Sequence, residues 1–559
     1  GSVRRSLIVA AALRAACVAA PAFALPTGGQ VVVPGTASIG APVNHALTVT
    51  NHPGAIINWQ GFSIAPNELV RFVQQNSASA VLNRVTGSQM SEILGRLQSN
   101  GQVFLINPNG IVIGPNAVID TAAFVGSTLR MLDADFLAGR LRFQGDGSEG
   151  RIVNQGQIRS GYGGRVLLVA PQIENSGLVE APGGSILLAA GRSVTITGLD
   201  PGSVNFQLQA PADSVVNLGQ LSAPGGAVGV FAGTLRHSGE IRANALTRDA
   251  AGQVVLQSRG DLSLAAGSRT SADGRTGGSV VVESTGGAAR LEGQVSATGS
   301  SGAGGSVYVL GERVSLAGEA RIDASGATAG GTILAGGDWQ GANPNVRNAQ
   351  RAFVGAGVRL AADATDSGDG GRIVVWSDGD TRFLGSLSAR GGPNGGNGGT
   401  AEVSGRGELL FIGGADLGAP RGAAGSLLLD PLDLFIDAAG GLNPFVIDDA
   451  TDFPNNAVTV SPATLAAIVG NVTLYASRDL RMNSSVVLTS PGQALTALAG
   501  RDLQLGAGIT TSNGAITLTA GRAVSTFAAT PLAAGTGAVS ITSGSTSSGG
   551  IGSLGFSSG

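Results

Sequence analysis

The segments GGSVVV (residues 277–282) and GGSVYV (residues 304–309) start 27 residues apart and predict the fold of most of this chain. Each begins with a Gly-Gly pair, continues with one small residue and then becomes apolar. The same pattern begins at six further positions: Gly163, Gly183, Gly225, Gly330, Gly370 and Gly398. Self-similarity at a period of about 20–27 residues is typical of a solenoid.

A second strand pattern follows the first within each unit. Apolar residues lie two apart in Val314–Leu316 and again around Ile322, which predicts strands and not helices. We therefore predict an all-β fold, a right-handed parallel β-helix in which inward side chains stack on their equivalents in the next coil. A β-propeller is less compatible, because its blades repeat at about 40–50 residues with aromatic signatures that the chain lacks.

Composition limits the possible functions. Hydrophobic residues make up 43% of the chain, enough to bury a core, and 91 glycines can supply its turns. The formal net charge of −3, with scattered arginines, argues against a nucleic-acid partner, which would require a basic stripe. Three histidines and one cysteine favour no metal site and no disulfide framework. We expect no cofactor and no enzymatic activity.

The N-terminus predicts export. Arg4 and Arg5 precede the apolar segment 7–20, and Ala22-Phe23-Ala24 matches a cleavage site. Residues 1–24 are therefore interpreted as a signal peptide whose beginning is truncated. Cys17 would be removed with it.

The segment between residues 30 and 145 carries a family resemblance. IINWQGFSI (56–64), NRVTG (83–87) and SNGQVFLINPNGIVIG (99–114) occur in this order. Together they resemble the N-terminal secretion domain of two-partner secretion exoproteins, most of all the branch of high-molecular-weight adhesins and haem-haemopexin-binding exoproteins. Filamentous haemagglutinin is a more distant relative.

The resemblance implies a function in export. Such a domain is recognised by a cognate outer-membrane β-barrel transporter with periplasmic recognition domains, and it nucleates β-helix folding at the surface of a Gram-negative cell. The mature protein is then secreted or surface-exposed and is expected to be an adhesin. The alternatives are a haem or haemopexin-acquisition exoprotein, or the N-terminal part of a contact-dependent toxin-delivery protein.

Four segments follow from these observations. We assign residues 1–24 to the signal peptide, 25–150 to the capping secretion domain, 151–425 to β-helix repeats and 426–559 to further repeats of a longer chain. A capping Ser461, followed by Pro462, predicts one short helix within the last segment.

The first candidate site is the motif Asn107-Pro108-Asn109-Gly110-Ile111. Pro at the second position and Asn at the first predict a type I turn in which the Asn107 side chain accepts a hydrogen bond. These residues either shape the corner alone or also contact the transporter. The filamentous-haemagglutinin branch has a second Asn-Pro-Asn-Leu motif near the place where this chain has Asn83-Arg84-Val85-Thr86, which puts a function at that position in doubt.

Two kinds of short motif match a known functional motif but can also be explained without that function. Arg259-Gly260-Asp261 is an integrin-type tripeptide, but SRGDL (258–262) also parallels SRDL (477–480) and GRDL (500–503), which suggests repeat consensus. Asn471 and Asn483 lie in N-x-S/T sequons and are candidate glycosylation sites, although two matches are close to chance.

Two groups of acidic residues could suggest sugar hydrolysis or calcium binding. Asp430, Asp433 and Asp437 are close enough in sequence to form a carboxylate pair, but no Arg or His stands beside them, so strand-edge turns and caps are favoured. The run 363–369 lacks the register of a calcium-binding repeat and is interpreted as a solvated loop. Trp339 is interpreted as a packing residue.

Overall fold

The computed structural model describes residues 25–147, 149–197, 204–207, 213–245, 252–438, 459–527, 530–544 and 554–556. These residues form a parallel β-helix, which confirms the predicted fold class. Each coil contributes one strand to each of three sheets, and parallel main-chain pairing joins successive coils. The predicted signal peptide, residues 1–24, lies outside the described residues.

The first sheet runs the full length of the coil stack and has nineteen strands. At about 4.8 Å per parallel strand, it extends over roughly 80 Å. Its strands are Gln30–Val31, Ala55–Trp59, Ala80–Val85, Gln102–Ile106, Ala123–Ser127, Arg165–Ala170, Ser185–Ala190, Ala227–Ala232, Gln253–Ser258, Ser279–Ser284, Ser306–Leu310, Thr332–Ala335, Arg372–Ser377, Thr400–Gly405, Ser426–Asp430, Asn471–Ala476, Leu495–Ala499, Ile516–Ala520 and Val539–Ser543.

The second sheet follows the first within each coil. It has twelve strands, and a five-stranded sheet takes its place in the later coils. Its strands are Ser91–Ile93, Ile111–Ile113, Ile152–Asn154, Gln172–Asn175, Ser214–Asn217, Thr234–His237, Leu262–Leu264, Ala288–Leu291, Arg313–Leu316, Arg351–Val354, Asp380–Phe383 and Leu409–Phe411, then Leu434–Ile436, Thr459–Val460, Leu480–Met482, Asp502–Leu505 and Ala523–Thr526.

The third sheet completes the coil with fifteen strands, and a four-stranded sheet continues it. Its strands are Ala37–Ile39, Ala46–Asn51, Leu69–Val73, Arg96–Ser99, Val118–Thr121, Gln157–Ser160, Leu178–Glu180, Gln220–Ser222, Glu240–Arg242, Arg269–Ser271, Gln294–Ser296, Arg321–Asp323, Arg359–Ala361, Ser386–Ser388 and Gly414–Asp416, then Val486–Leu488, Ile509–Thr511, Thr530–Ala533 and Leu554–Phe556.

Antiparallel strands close the N-terminal end of the stack. Gln30–Val31 pairs with Ala55–Trp59, and Ala37–Ile39 pairs with Ala46–Asn51. Such a cap covers main-chain groups and apolar side chains that the first coil would otherwise expose. The capping expected of the N-terminal segment is thus present. The sheets continue across residue 150, since Ile111–Ile113 pairs with Ile152–Asn154, and the boundary proposed there stays a prediction.

The core consists of columns of equivalent side chains inside the coils. In the first sheet, Val280 is in register with Val307 and Val282 with Val309, and all four are buried. The alternation that predicted strands thus becomes a continuous column of aliphatic contacts along the axis, because the strands of successive coils pair in register. In the second sheet the corresponding column ends in Phe383 stacked on Phe411, with ring centroids 5.4 Å apart.

Apolar residues also cover part of the outer surface of the first sheet. Helix α1 (Asp133–Leu137) and an antiparallel sheet of Leu141–Gln144, Ser193–Ile196 and Val204–Gln207 lie beside this surface. Phe136 of α1 packs on Phe104 of the coil, with ring centroids 5.2 Å apart. The N-terminal coils therefore have an apolar cluster on the outside as well as a core on the inside.

The predicted short helix is present as α2 (Pro462–Ala466). Ser461 caps it by accepting a hydrogen bond from the backbone N–H of Thr464 at 3.1 Å. In the part of the chain that the structure describes, no helix has the length and apolarity needed to cross a bilayer.

A polar column interrupts the aliphatic core of the second sheet. Asn154, Asn175, Asn217 and His237 are in register and buried. Side-chain Nδ2 atoms donate to the next Oδ1 at 2.7 and 2.8 Å, and Nδ2 of Asn217 lies 3.0 Å from Nδ1 of His237. Nδ1 of His237 thus faces the Asn217 amide, and its Nε2 lies 3.3 Å from the carbonyl oxygen of Arg269, so both ring nitrogens have a polar neighbour inside the core.

The Gly-Gly pairs lie where coils turn into the first sheet. A Cβ atom on Gly226 would lie 1.9 Å from the carbonyl oxygen of Gly184 in the preceding coil. Glycine is required there because the backbones of successive coils touch, which explains the repeat motif.

We predict that Gly226→Ala destabilises the stack by about 1–3 kcal/mol, because the added methyl group must push two coils apart. Gly414→Ala is the matched control, since a Cβ there has no atom within 4 Å. Urea unfolding followed by circular dichroism measures both. Equal midpoints for the two variants would contradict the steric account of the Gly-Gly corner.

A second prediction concerns pH. Burial lowers the pKa of His237 from its ordinary value of 6.5. His237 of the unfolded chain therefore becomes protonated near pH 6.5, whereas His237 of the folded chain stays neutral to a lower pH. The free energy of unfolding then decreases as the pH drops below 6.5, by up to about 1.4 kcal/mol per pH unit. His237→Asn extends the asparagine column without a titrating group. As the pH falls from 7 to 5, the free energy of unfolding should decline less steeply in this variant than in the parent. Equal slopes would show that His237 does not cause the pH dependence.

Candidate functional site

The Asn107 corner joins the first sheet to the second sheet in an N-terminal coil. Oδ1 of Asn107 accepts a hydrogen bond from the backbone N–H of Asn109 at 3.0 Å, and the N–H of Gly110 donates to the carbonyl oxygen of Asn107 at 3.1 Å. Gly110 has a φ of 123°, which favours glycine. The predicted turn, with a hydrogen bond accepted by the Asn107 side chain, is confirmed. Pro108 occupies its second position, and Ile111 begins the strand that follows.

Two asparagines of the corner differ in exposure. Asn107 is fully buried, and its Nδ2 donates to the carbonyl oxygen of Gln89 and to Oγ of Ser91, both at 3.0 Å. Asn109 is exposed, and its Nδ2 donates to the carbonyl oxygen of Gly87 at 2.8 Å. Asn107 thus holds two coils together, whereas Asn109 presents its side chain at the surface.

A groove of about 910 Å³ lies between this corner and α1. Leu132 and Leu137 at the two ends of α1 are 66% and 64% exposed, which is unusual for leucine next to a packed apolar cluster. The groove is lined by Arg84, Thr86, Pro108, Asn109, Leu132 and Asp133, among others. Its position brings the exposed asparagine of the turn next to an apolar surface.

The NRVT segment (83–86) has a structural function. Asn83 is buried, its Oδ1 accepts from the indole N–H of Trp59 at 3.0 Å, and its Nδ2 donates to the carbonyl oxygen of Phe104 at 3.2 Å. Arg84 donates to the carbonyl oxygen of Met131 at 3.0 Å, just before α1. This segment therefore satisfies a buried indole and fastens the helix that borders the groove.

The Arg259-Gly260-Asp261 tripeptide lies at the corner before a strand of the second sheet. Oδ1 of Asp261 accepts from the backbone N–H of Ala288, one coil further on, at 2.9 Å. Asp380 and Asp479 accept in the same way from Glu408 and Asp502 at 3.0 and 3.2 Å. The tripeptide therefore includes a corner aspartate that the repeat uses, and integrin binding stays an untested prediction.

The two sequon asparagines lie in different surroundings. Oδ1 of Asn471 accepts from the backbone N–H of Ala494 at 3.0 Å, so this side chain takes part in coil stacking. Asn483 is exposed, and its Oδ1 accepts from Nε of Arg481 at 2.7 Å. Asn483 is the more accessible of the two, and glycosylation at either position stays a prediction.

Asp430, Asp433 and Asp437 do not form a carboxylate pair with one another. Nε of Arg478 donates to Oδ1 of Asp433 at 2.8 Å, and this bond lowers the pKa of Asp433. The expectation that no arginine stands beside these residues was wrong, because the next coil brings Arg478 to Asp433 from 45 positions away. Asp437 contacts Asn483 at 3.3 Å, and Asp430 is buried against a different carboxylate, Glu402.

The acidic run 363–369 divides into two parts. Asp366 and Asp369 are exposed, as the solvated-loop interpretation expects. That interpretation was wrong for Asp363, which is buried and accepts from the backbone N–H of Arg390 at 2.7 Å and from its guanidinium at 3.0 Å.

The packing function predicted for Trp339 is confirmed. It lies against a buried cluster of Leu334, Val374 and Trp376 on the outer surface of the first sheet, with the guanidinium of Arg372 5.7 Å from its ring centroid. Glu402, which the sequence reasoning missed, continues the same surface. An alignment of the repeats could have found it, because Glu402 lies in register between Val374 and Leu428, at a position that is otherwise apolar.

Comparison with known proteins supports the family resemblance. The model of the TPS secretion domain family matches residues 19–266. A heme/hemopexin-binding protein of Haemophilus influenzae is 31% identical over 192 residues, which cover 33% of this chain and 21% of that protein. A second heme/hemopexin-binding protein of Haemophilus influenzae is 40% identical over 74 residues, which cover 13% of this chain and 8% of that protein.

A solved structure is also similar. The HMW1 secretion domain from Haemophilus influenzae matches with 33% identity and a TM-score of 0.58, over 72% of this chain and 100% of that domain. The chain spans about a fifth of the first curated relative and less of the second.

Proposed function

The chain belongs to the two-partner secretion exoproteins, and from that premise we propose that it is a surface adhesin exported by a cognate outer-membrane transporter. The transporter recognises the N-terminal coils in the periplasm, and these coils then nucleate stacking of the remainder at the cell surface. The observation that carries the export function is the match of both the family model and the HMW1 secretion domain to this chain.

We place the transporter contact at the groove beside the Asn107 corner. The exposed Asn109 side chain supplies polar groups and Leu132 supplies apolar area in the lining of the groove. Leu137, at the other end of α1, adds exposed apolar area on the same helix. An apolar surface with a few polar groups is typical of a protein-binding site. The site lies in the capped N-terminal coils, which fits recognition before the rest of the chain folds.

The shape of the molecule supports adhesion. The sheets form a stack roughly 80 Å long whose core is continuous, so the N-terminal end and the later coils are held far apart. A rod of this kind presents many corners and side chains along its length to another surface.

Capture of haem or haemopexin is the second candidate. The favouring observation is that both curated relatives are named heme/hemopexin-binding proteins. Because the aligned parts cover only 21% and 8% of those proteins, the ligand-binding function enters here as a proposal.

We predict that a variant with Asn109→Ala, Leu132→Ser and Leu137→Ser is secreted about tenfold less than the parent, because it loses a central contact surface while keeping its core. Immunoblots of culture supernatant and of periplasm measure the change in cells that make the transporter. The expected result is periplasmic retention of folded or degraded chain.

Two controls distinguish recognition from folding. Leu218→Ser changes another exposed leucine, 52% accessible, far from the groove and should leave secretion unchanged. Asn107→Ala removes buried hydrogen bonds and should reduce stability of the purified protein as well as secretion. Normal secretion of the triple variant would contradict the proposal that the transporter binds at the groove.

The adhesion proposal predicts that beads coated with the purified full chain attach to host or bacterial cells more than beads coated with albumin. Haemopexin pull-down and haemin absorbance titration are run with the same preparation. Binding of haemopexin or haemin without cell attachment would replace adhesion with the second candidate.

A further inference from the structure

The segment 336–349, which we call the strap, leaves the first sheet after the strand Thr332–Ala335 and lies over the later coils. Its two ends meet, because the backbone N–H of Ala349 donates to the carbonyl oxygen of Gly336 at 2.6 Å. Gly336 has a φ of 83°, a conformation that favours glycine. The strap is therefore closed at its base, and a rotation about this base would move its tip away from the sheet.

Gln340, near the tip of the strap, contacts two acids of later coils. The register of the first sheet places Glu402 two coils and Asp430 three coils beyond the strand that leads into the strap. The backbone N–H of Gln340 donates to Oε2 of Glu402 at 2.8 Å, and its Nε2 donates to Oδ2 of Asp430 at 3.2 Å. Gln340 is left-handed (φ 51°, ψ 21°), which is uncommon outside glycine. These two hydrogen bonds therefore hold a strained residue against the sheet.

Apolar contacts favour the closed position of the strap. Trp339 and Val346 of the strap pack against the cluster that contains Val374 and Trp376. A Cβ atom on Gly341 would lie 2.4 Å from Nε1 of Trp376, so the backbone of the strap lies directly on the indole. Lifting the strap would expose this cluster to water, which is unfavourable. The strap therefore opens only where another interaction opposes these contacts.

Glu402 opposes them when it is ionised. It lies in register between Val374 and Leu428, and its side chain has no exposed area. Among the described residues, its Oε1 is buried without a hydrogen-bond partner. An ionised carboxylate is costly to bury unless charges or hydrogen bonds compensate it, whereas a protonated carboxyl group carries no charge to compensate. Closure of the strap over Glu402 is therefore easier for the protonated form.

The surrounding charges do not reverse this preference. Arg372, on the preceding strand, is ion-paired with Asp338 of the strap, and Asp430, on the following strand, adds a like charge. Burial raises the pKa of Glu402 from 4.5 to about 7, and the charge of Asp430 adds to the effect, against hydrogen bonds from Gln340 and Ser404. Burial likewise raises the pKa of Asp430 to about 6. The charged groups that border the strap and its cluster are Asp338, Arg372, Asp378, Glu402, Arg406 and Asp430.

We propose that the strap is a pH-sensitive device that is closed over the apolar cluster when Glu402 is protonated and that opens about its base when Glu402 is ionised. Opening exposes the carboxylate to water, where its pKa returns to about the ordinary value of 4.5. The open form then loses the proton of Glu402 near pH 4.5 and the closed form near pH 7. The open-to-closed ratio therefore rises with pH between these two values and levels off above them.

Hydrogen–deuterium exchange of the full chain, read by mass spectrometry on peptides that cover residues 336–349, measures the opening. The backbone N–H groups of Gln340 and Val346 are hydrogen-bonded in the closed strap. Their protection factors, corrected for the pH dependence of free amide exchange, report the open-to-closed ratio. Protection of the strap is expected to fall on the order of 100-fold from pH 5 to pH 8, because the ratio changes up to tenfold per pH unit within the window. Peptides from the strands Ser279–Ser284 and Ser306–Leu310 should show no such fall.

Two variants assign the effect to Glu402. Glu402→Gln keeps the shape of the side chain but cannot ionise, so protection of its strap should be independent of pH and, at pH 8, on the order of 100-fold above that of the parent. Glu402→Leu restores the apolar residue of the column and should also remove the pH dependence, which decides the question if the glutamine variant does not fold. Asp366→Asn, a change at an exposed acid outside the strap, should follow the parent.

Titration of His237 cannot imitate this result, because it destabilises the folded chain toward acid, whereas the strap is expected to open toward alkali. Constant protection of the parent strap from pH 5 to pH 8 would overturn the proposal. So would a glutamine or leucine variant at position 402 that folds and keeps the pH profile of the parent.

Discussion

Main-chain pairing between successive coils is the constraint on which the rest of this molecule depends. It sets a repeat distance of about 4.8 Å, and at the glycine corners it brings the backbones of successive coils too close for a Cβ atom. Gly226 over Gly184 therefore cannot carry a Cβ, and Val280 must lie on Val307. Since each coil repeats the path of the one before it, a residue type that suits one coil tends to suit its neighbour, and the sequence repeats.

Polar residues also stack on polar residues at the equivalent position of the next coil. Three asparagines and His237 form a hydrogen-bonded column inside the core, and corner aspartates such as Asp261 and Asp479 each accept a backbone N–H from the next coil. Buried polar groups are tolerable when every donor meets an acceptor. The stack supplies these partners in register, so polar columns can replace aliphatic ones at small cost.

Additional segments on the outer surface of the first sheet distinguish this chain from a plain solenoid. Near the N-terminus α1 covers one apolar cluster and borders the groove beside Asn107. Further along, the segment containing Trp339 covers a second cluster that ends at Glu402 and Asp430. Both places combine an inserted segment, apolar packing and polar groups that the regular coil does not use.

The sequence by itself determined the β-helix, the glycine corners, the Asn107 turn and the α2 cap, because each depends on contacts within a few residues or on a regular period. It also determined the family, through motifs that occur in order between residues 56 and 114. Only the tertiary structure decided that Arg478 meets Asp433 and that Gln340 covers Glu402 and Asp430, contacts between residues 45, 62 and 90 positions apart. Coil lengths vary and insertions interrupt the repeat, so the residues that face each other across coils follow from the accumulated path of the backbone. No local sequence pattern therefore predicts these contacts.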